Sequence, residues 1–295
     1  MMSRLAAVAI AEGIEPDYVR GLVAARSLPP DDSLAPDAWP WPLRIHALGR
    51  FEVVRDGAPL AFRGKAQKKP LELLKALVSL GGDGVEASRL AAILWPDAFG
   101  DAAKVSFDST LYRLRKLLGV ESALVLNEGK LSLDPRQCRV DVWVFERVAR
   151  EADSIGAADD PAAVARRLLD AYPGHFLAAD EDQPWLMGLR DRLRSKLVRT
   201  VLALGRRLQA AGRGEDAIAL YQRALELDNL AEDLYRQLML CYRELGRPAE
   251  ALRTYRRCRE LLSVVLGLQP SAETEAVRIS LDAVGPPGVG AKPAR

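Results

Sequence analysis

Hydrogen-bonding and cationic side chains recur at helical spacing between Asp101 and Leu118. The bulky apolar residues of this segment form one stripe: Phe107, Leu111, Leu114 and Leu118. Their 3.6-residue period commits one face of a helix to a core. The other face carries small polar and positively charged side chains: Lys104, Ser106, Ser109, Thr110, Arg113 and Lys116. Side chains of these types bind phosphates and the edges of nucleic-acid bases.

A helix over residues 102–118, about 25 Å long, would fit the major groove of double-stranded DNA, which is roughly 12 Å wide. Three hydroxyl side chains are short enough for close approach to base edges: Ser106, Ser109 and Thr110. Arg113 has the fork geometry for two guanine acceptors. Three further cations are suited to phosphates: Lys104, Arg115 and Lys116. The alternative is an amphipathic helix whose basic face is only solvated.

A β-hairpin is predicted over residues 122–133, directly after this helix. Gly119 is a helix stop, and two short apolar runs flank the turn Asn127-Glu-Gly-Lys130. Upstream, apolar spacing predicts helices over 67–80 and 85–94, and strand-like runs precede them at 43–48, 51–54 and 60–62. The order of strands, three helices and a hairpin predicts a winged helix with an extra N-terminal sheet.

Three segments of this region resemble a known family: residues 43–53, 94–96 and 111–118. They are similar to the OmpR-like winged helix-turn-helix of the antibiotic-regulatory (SARP-like) transcriptional activators of actinobacteria. Similar sequences form the C-terminal part of some large ATP-dependent regulators. The resemblance implies a sequence-specific, DNA-binding activator whose third helix enters the major groove and whose hairpin touches the adjacent minor groove or backbone.

The resemblance also assigns roles to individual residues. It implies base contacts for Ser109, Thr110 and Arg113, phosphate contacts for Lys104 and Arg115, and a wing tip from Asn127 to Lys130. The loop before the helix would meet RNA polymerase through Trp95, Pro96, Asp97 and Phe99.

One position departs from the family pattern. Tyr112 stands where a basic residue is common, which implies a weaker hold on phosphates. Its hydroxyl could donate to a phosphate, or its ring could pack beside the wing, and packing is the favoured interpretation.

The charge distribution predicts a modest affinity for DNA. Residues 43–137 contain 15 Lys or Arg against 11 Asp or Glu, whereas residues 138–284 contain 22 against 23. Such a surplus is small for a nucleic-acid binder, so tight binding is expected only from a homodimer or on tandem sites. A second basic cluster at the start of the first helix could touch the DNA backbone or be a solvated helix end: Arg63, Lys65, Lys68 and Lys69.

The remainder of the chain predicts an all-α, tetratricopeptide-like repeat domain. Residues 212–224 and 246–258 superimpose at an offset of 34 residues, the tetratricopeptide period, with Ala217 on Ala251 and Tyr221 on Tyr255. Helical apolar spacing extends over 141–152, 161–171, 184–210, 231–245 and 273–281. Residues 141–145 and 172–177 resemble the bacterial transcriptional activation domain of the same family.

Two classes of function therefore remain open. The first is the DNA-binding activator, whose repeat domain would serve self-association and regulatory contacts. The second is a repeat-type interaction scaffold whose winged helix binds protein instead of DNA. In both, the chain is mainly α with a small β component.

Domain boundaries follow from composition. Residues 1–42 read as a helical tail and a Pro-rich linker, 43–137 as the winged helix, 138–284 as the repeat domain, and 285–295 as a disordered tail. The lead-in resembles that of the large ATP-dependent regulators, so the chain could be a detached or truncated part of one.

Enzymatic interpretations fail on spacing. Six residues rather than four separate Gly57 from Gly64-Lys65, and Ala66 replaces the hydroxyl that a phosphate loop needs for magnesium. The histidines and cysteines are not at metal-ligand spacing: His46, His175, Cys138, Cys241 and Cys258. No cofactor, metal or membrane partner is expected, and a few unpaired cysteines without a signal peptide predict a cytoplasmic location.

Overall fold

The computed structural model describes residues 1–26, 28–30, 39–62, 67–98, 100–156, 159–180 and 183–283. The described chain forms two compact units. The first comprises Met1–Val144 and Phe176–Leu189, and the second comprises Phe145–His175 and the residues from Arg190 onward. The protein is mainly helical with a small strand component, as predicted.

The helices are α1 (Met2–Ala11), α2 (Pro16–Arg26), α3 (Lys68–Ser79), α4 (Ala87–Leu94), α5 (Asp101–Leu118), α6 (Asp141–Asp153), α7 (Pro161–Asp170), α8 (Pro184–Ala210), α9 (Gly214–Leu227), α10 (Glu232–Glu244), α11 (Pro248–Leu261) and α12 (Ala272–Ala283). The strands are β1 (Leu43–His46), β2 (Glu52–Arg55), β3 (Ala58–Pro59), β4 (Val85–Glu86), β5 (Leu124–Asn127), β6 (Lys130–Leu133) and β7 (Cys138–Val140).

The N-terminal helices α1 and α2 close on a small apolar core of their own. Ala7, Ile10 and Val23 are buried there together with Trp39. Trp39 belongs to the stretch that composition predicts to be a linker, so part of that stretch is packed. The proline-rich residues 31–38 lie outside the described residues.

One four-stranded sheet has the strand order β3-β2-β1-β7. In the sequence, its strands β1 to β3 come before helices α3 to α5, and β7 comes after them. The pairs β1–β2 and β2–β3 are antiparallel, and β1–β7 is parallel. The third predicted strand is displaced, because Ala58 and Pro59 rather than residues 60–62 pair with β2. Strand β7 is not anticipated from the sequence, since it is three residues long and its partner lies 95 residues earlier.

The winged helix itself contains α3, α4 and α5 and a sheet of order β4-β6-β5. Helix α5 packs against both α3 and α4. Gly119 ends α5 in the left-handed conformation, at φ 71°. The predicted helix over 85–94 is wrong at its start, because Val85 pairs with Leu131 in strand β4 and α4 begins only at Ala87.

A buried carboxylate joins the N-terminal sheet to α6. Asp141 Oδ2 accepts hydrogen bonds of 2.8 Å from the backbone N–H groups of Ala47 and Leu48. Its Oδ1 accepts another from Val142 N–H. Burial raises the pKa of Asp141, although these hydrogen bonds oppose that effect. The compact unit therefore continues past the predicted boundary at residue 137.

The first compact unit also includes a later segment of the chain, Phe176–Leu189. Phe176 forms an antiparallel bridge with Leu48, and Lys75 Nζ lies 2.6 Å from Asp180 Oδ1. No local pattern in residues 176–189 indicates that they belong with the winged helix, because these contacts join positions 105 or more residues apart.

The second unit contains the predicted repeat. Gly212 and Gly246 have φ values of 73° and 70°, and each precedes a helix that starts two residues later. Ala217 and Ala251 are fully buried, as the repeat requires. The guanidinium of Arg194 on α8 makes two hydrogen bonds, of 2.6 and 2.9 Å, to the buried carboxylate of Asp228 after α9.

Candidate nucleic-acid interface

Helix α5 has one buried and one exposed face. Phe107, Leu111, Leu114 and Leu118 are all buried, which confirms the predicted apolar stripe. After the first turn of the helix, the exposed residues form what we term the open face of α5: Lys104, Val105, Asp108, Ser109, Tyr112, Arg113 and Lys116.

Three cations of the open face have no partner among the described residues. Lys104, Arg113 and Lys116 make neither a hydrogen bond nor an ion pair with that part of the chain, whereas many arginines of the second unit are paired within it. Long cationic side chains without internal partners are available to an external anion, and the phosphates of nucleic acid are such anions.

Thr110 does not belong to the open face. It is 4% exposed, because it follows Phe107 by three residues and precedes Leu114 by four, which places it on the edge of the buried stripe. The predicted base contact of Thr110 is therefore wrong.

Arg115 is also corrected, because its side chain is engaged within the winged helix. Its Nη2 donates a 3.0 Å hydrogen bond to the carbonyl of Leu124 at the start of β5. Its Nε is buried without a hydrogen-bond partner among the described residues. Arg115 thus ties the C-terminal half of α5 to the wing and is not placed to bind phosphate.

The two serines differ in exposure. Ser109 is exposed and donates from Oγ to the carbonyl of Ser106 at 3.0 Å, which leaves its oxygen free to accept. Ser106 is half-buried, one helical turn earlier.

Two large side chains on the open face depart from the sequence-based interpretation. Tyr112 is 67% exposed, so the packing of its ring beside the wing is wrong. Val105 is also 67% exposed, and the sequence pattern does not indicate a role for it, because a single valine in a polar stretch leaves no periodic signal.

The wing is a hairpin with a two-residue turn. Asn127 pairs with Lys130, and both are exposed at the tip. Glu128 and Gly129 between them have φ values of 47° and 74°, as in the turns that match the twist of a hairpin. The carbonyl of Gly129 accepts a 2.8 Å hydrogen bond from the N–H of Ala87, so the tip is fastened to the first turn of α4.

A groove lies between α4, the first half of α5 and the wing. Its volume is about 630 Å³, and Ala91, Phe107 and Leu126 are among the residues that line it. Lys104 and Lys130 stand at this groove as well, so the cations of the helix and the wing border one concave surface.

The second basic cluster is only partly described, since Arg63 and Lys65 lie outside the described residues. Lys69 is not free for DNA: its Nζ donates to the carbonyl of Leu94 at 3.1 Å and lies 2.9 Å from Glu72 Oε2. This hydrogen bond gives a partner to a carbonyl group at the C-terminal end of α4. Lys68 is exposed, with its Nζ 3.9 Å from Glu72.

The loop between α4 and α5 presents a mixed surface. Pro96 and Asp97 are exposed, and Trp95 is half-buried with Lys69 Nζ 5.8 Å from its ring centroid. Phe99, the fourth predicted polymerase contact, lies outside the described residues.

The described ranges give little support to other kinds of site. No group of three or more His, Cys, Asp or Glu side chains there could hold a metal ion. Burial raises the pKa of each of the thiols of Cys138, Cys241 and Cys258 to about 12. Among the helices of the described chain, none combines the length and the apolar character needed to cross a bilayer.

The fold and the open face of α5 define a class: a winged helix-turn-helix joined to a helical-repeat unit. Residues 140–281 match the family model of the bacterial transcriptional activator domain. That match begins at the last residue of β7 and spans α6 to α12.

Relatives share both parts of the chain. The regulatory protein AfsR of Streptomyces coelicolor is 31% identical over 240 residues, which are 77% of this chain and 23% of AfsR. AfsR of Streptomyces griseus is 29% identical over 237 residues, 78% of this chain and 24% of the relative. The transcriptional regulatory protein EmbR of Mycobacterium tuberculosis is 25% identical over 238 residues, 78% of this chain and 61% of EmbR.

A solved structure of Mycobacterium tuberculosis EmbR, in complex with a low affinity phosphopeptide, has the same fold. Its TM-score is 0.60 at 23% identity, covering 84% of this chain and 66% of that one. Residues 140–281 thus carry a bacterial transcriptional activator domain, and the chain is similar in both of its parts to SARP-like transcriptional regulators. It spans about a quarter of AfsR and about three-fifths of EmbR.

Proposed function

We propose that this chain binds double-stranded DNA in a sequence-specific manner and activates transcription from the promoters it binds. The observation that carries the proposal is the open face of α5, where Lys104, Arg113 and Lys116 have no partner in the described chain. An exposed helix of 18 residues with this surface fits the major groove.

The proposed contacts with DNA are of two kinds: some read the bases, and others position the helix on the duplex. Arg113 would bind the two acceptors of a guanine, and the oxygen of Ser109, with Ser106 beside it, would accept from a base edge. Lys104 and Lys116 would hold phosphates and so fix the register without reading sequence. At the wing tip, Asn127 and Lys130 would reach the adjacent minor groove or backbone.

Charge limits the affinity of one copy. The winged helix carries 15 basic against 11 acidic residues between positions 43 and 137, and the side chains of Arg115 and Lys69 donate hydrogen bonds within it. Few phosphates are then neutralised per copy, and the electrostatic part of binding is small. We therefore propose that two copies bind together, as a dimer or on tandem sites.

The activation step would use the loop between α4 and α5 and the repeat unit. Pro96 and Asp97 are exposed beside Trp95, a surface suited to contact with RNA polymerase. The helices of the second unit would serve self-association and regulatory contacts, as helical repeats do. A protein that acts on promoters would work in the bacterial cytoplasm, where the chromosome lies.

The test is a binding assay on selected duplexes with Arg113→Ala. Loss of a bidentate guanine contact should cost on the order of 1–3 kcal/mol and relax the preference at one base pair. Arg253→Ala is the matched control, because Arg253 is also an exposed arginine, on α11 in the second unit. The control should retain both the affinity and the sequence preference of the parent chain.

Equal retention of DNA by the Arg113→Ala variant and the parent would contradict this assignment. Failure of the parent to prefer any duplex sequence would contradict the proposed function as a whole and favour a winged helix that binds protein.

A further inference from the structure

Val105 is an apolar residue in the N-terminal part of the open face of α5. It is 67% exposed. Together with Ser109, Tyr112 and Lys116 it follows the spacing i, i+4, i+7 and i+11, which defines a single stripe. This stripe lies opposite the buried one, because residue 105 is two positions before Phe107 and two positions correspond to about 200° of helix rotation.

The position of this stripe decides which groups of DNA it would meet. When a helix lies in the major groove with its core side outward, the residues diametrically opposite the core reach deepest and face the base edges. Residues on its flanks face the phosphates, and so does a long side chain near the end of the helix, such as Lys116, where the groove curves away from the straight helix axis. A valine at the deepest position brings an apolar surface to the bases, where it cannot donate or accept a hydrogen bond.

The major groove offers one apolar group for such a side chain, the 5-methyl group of thymine. We propose that Val105 is a specificity-determining residue that contacts the 5-methyl group of a thymine in the target site. The inference rests on the proposed DNA-binding function and adds to it a base identity that the polar residues of the helix do not supply.

The position of this thymine follows from the length of the helix. Arg113 lies eight residues after Val105, which is about 12 Å along α5. With about 3.4 Å between successive base pairs, the thymine read by Val105 lies no more than about four base pairs from the guanine read by Arg113.

The experiment uses the full chain and duplexes selected by it from a random pool. Each thymine of the selected sequence is replaced in turn by uracil, which removes only the 5-methyl group and keeps the base pair. At one thymine the parent should lose affinity about fourfold, the factor that corresponds to burial of one methyl group. Val105→Ala should bind the thymine and uracil duplexes equally at that position.

Two further variants separate this role from a general effect of the substitution. Val105→Ile keeps an apolar side chain and should retain the preference for thymine. Val264→Ala makes the same change at a valine that is 79% exposed in the second unit, and it should behave as the parent does. Because Val105 is exposed, its variants should keep the helical circular-dichroism signal of the parent.

The outcomes separate the role of Val105 from the proposed DNA-binding function. Sequence-selective binding in which no thymine shows a uracil effect that disappears in Val105→Ala would overturn the role of Val105 and leave the DNA-binding proposal intact. If the parent prefers no duplex sequence at all, both are overturned.

Discussion

Lys116 and Arg113 are both cations of α5 without a partner among the described residues, yet under the proposed function they are expected to contribute to DNA binding in different ways. A phosphate contact is independent of base sequence and displaces a counterion. Lys116→Ala should therefore weaken binding to all duplexes alike and reduce the slope of log K against log salt by about 0.9. Titrations of the parent and the variant at several salt concentrations measure this slope, and an unchanged slope would remove Lys116 from the phosphate contacts.

Asp141 shows how a single buried residue supports the architecture. Asp141→Ala leaves the N–H groups of Ala47 and Leu48 without an acceptor and should lower the free energy of unfolding by on the order of 3 kcal/mol. Asp141→Asn keeps an oxygen that can accept from both, so it should cost less. Urea unfolding of the two variants and the parent gives the comparison.

The pH dependence of this residue has a defined sign. Because burial raises the pKa of Asp141, the folded chain holds its proton more tightly than the unfolded chain does. Its contribution to stability is present at low pH and is lost as pH rises from about 3.9, the unfolded value, through the raised folded value. The stability gap between the parent and Asp141→Asn should thus be larger at pH 4 than at pH 7, and a gap that widens toward pH 7 would contradict this.

At the level of elements, the packing of α8 against α9 depends on a missing side chain. A Cβ at Gly205 would overlap the phenol ring of Tyr221, with Cε1 at 2.6 Å, and Tyr221 is fully buried. Gly205→Ala should therefore destabilise the protein by about 1–3 kcal/mol through overpacking. This loss would exceed the gain in helix propensity that alanine brings.

Gly188 in the same helix is the matched control. A Cβ there meets nothing within 4 Å, so Gly188→Ala should stabilise the protein by up to about 1 kcal/mol. Thermal unfolding of both variants tests the pair, and a stabilising Gly205→Ala would show that Tyr221 can move aside.

The same scale explains what the sequence could and could not predict. Helices such as α8 and α10 have apolar residues at a period that repeats over several turns, and the repeat at 34 residues depends on residue types such as Ala217 and Ala251. Strands β4 and β7 are two and three residues long and pair with distant partners, so they leave no such pattern.

The candidate interface shows the same division. Free cations and buried apolar residues of α5 follow from helical spacing. That Thr110 and Arg115 do not belong to the open face could not be predicted from α5 alone. Residues at the edge of a buried stripe are buried or exposed according to the elements that pack beside them. Lys69 is a similar case, since its acceptor at Leu94 lies on another helix.

For the whole molecule, the three cysteines report on the integrity of the two units. Cys138 lies in the first unit, and Cys241 and Cys258 lie in the second. Because burial raises each pKa to about 12, only roughly one thiol in 10⁴ would be ionised at pH 8. A disulfide reagent should thus react with none of them within minutes in the folded protein and with all three in urea.

Single-cysteine variants assign this protection to each unit. A chain that keeps only Cys138 follows the winged-helix unit, and one that keeps only Cys258 follows the repeat unit. Rapid stoichiometric labelling of either variant without denaturant would show that its surroundings open far more readily than this packing allows.

The hydrogen bond between Gly129 and Ala87 gives the wing a fixed place before any duplex arrives. A loosely attached hairpin would lose conformational entropy on association, whereas this one has already lost it on folding. Recognition by such a preorganised surface would favour rigid docking over induced fit, with sequence discrimination set by how well each duplex matches a shape that does not adapt to it.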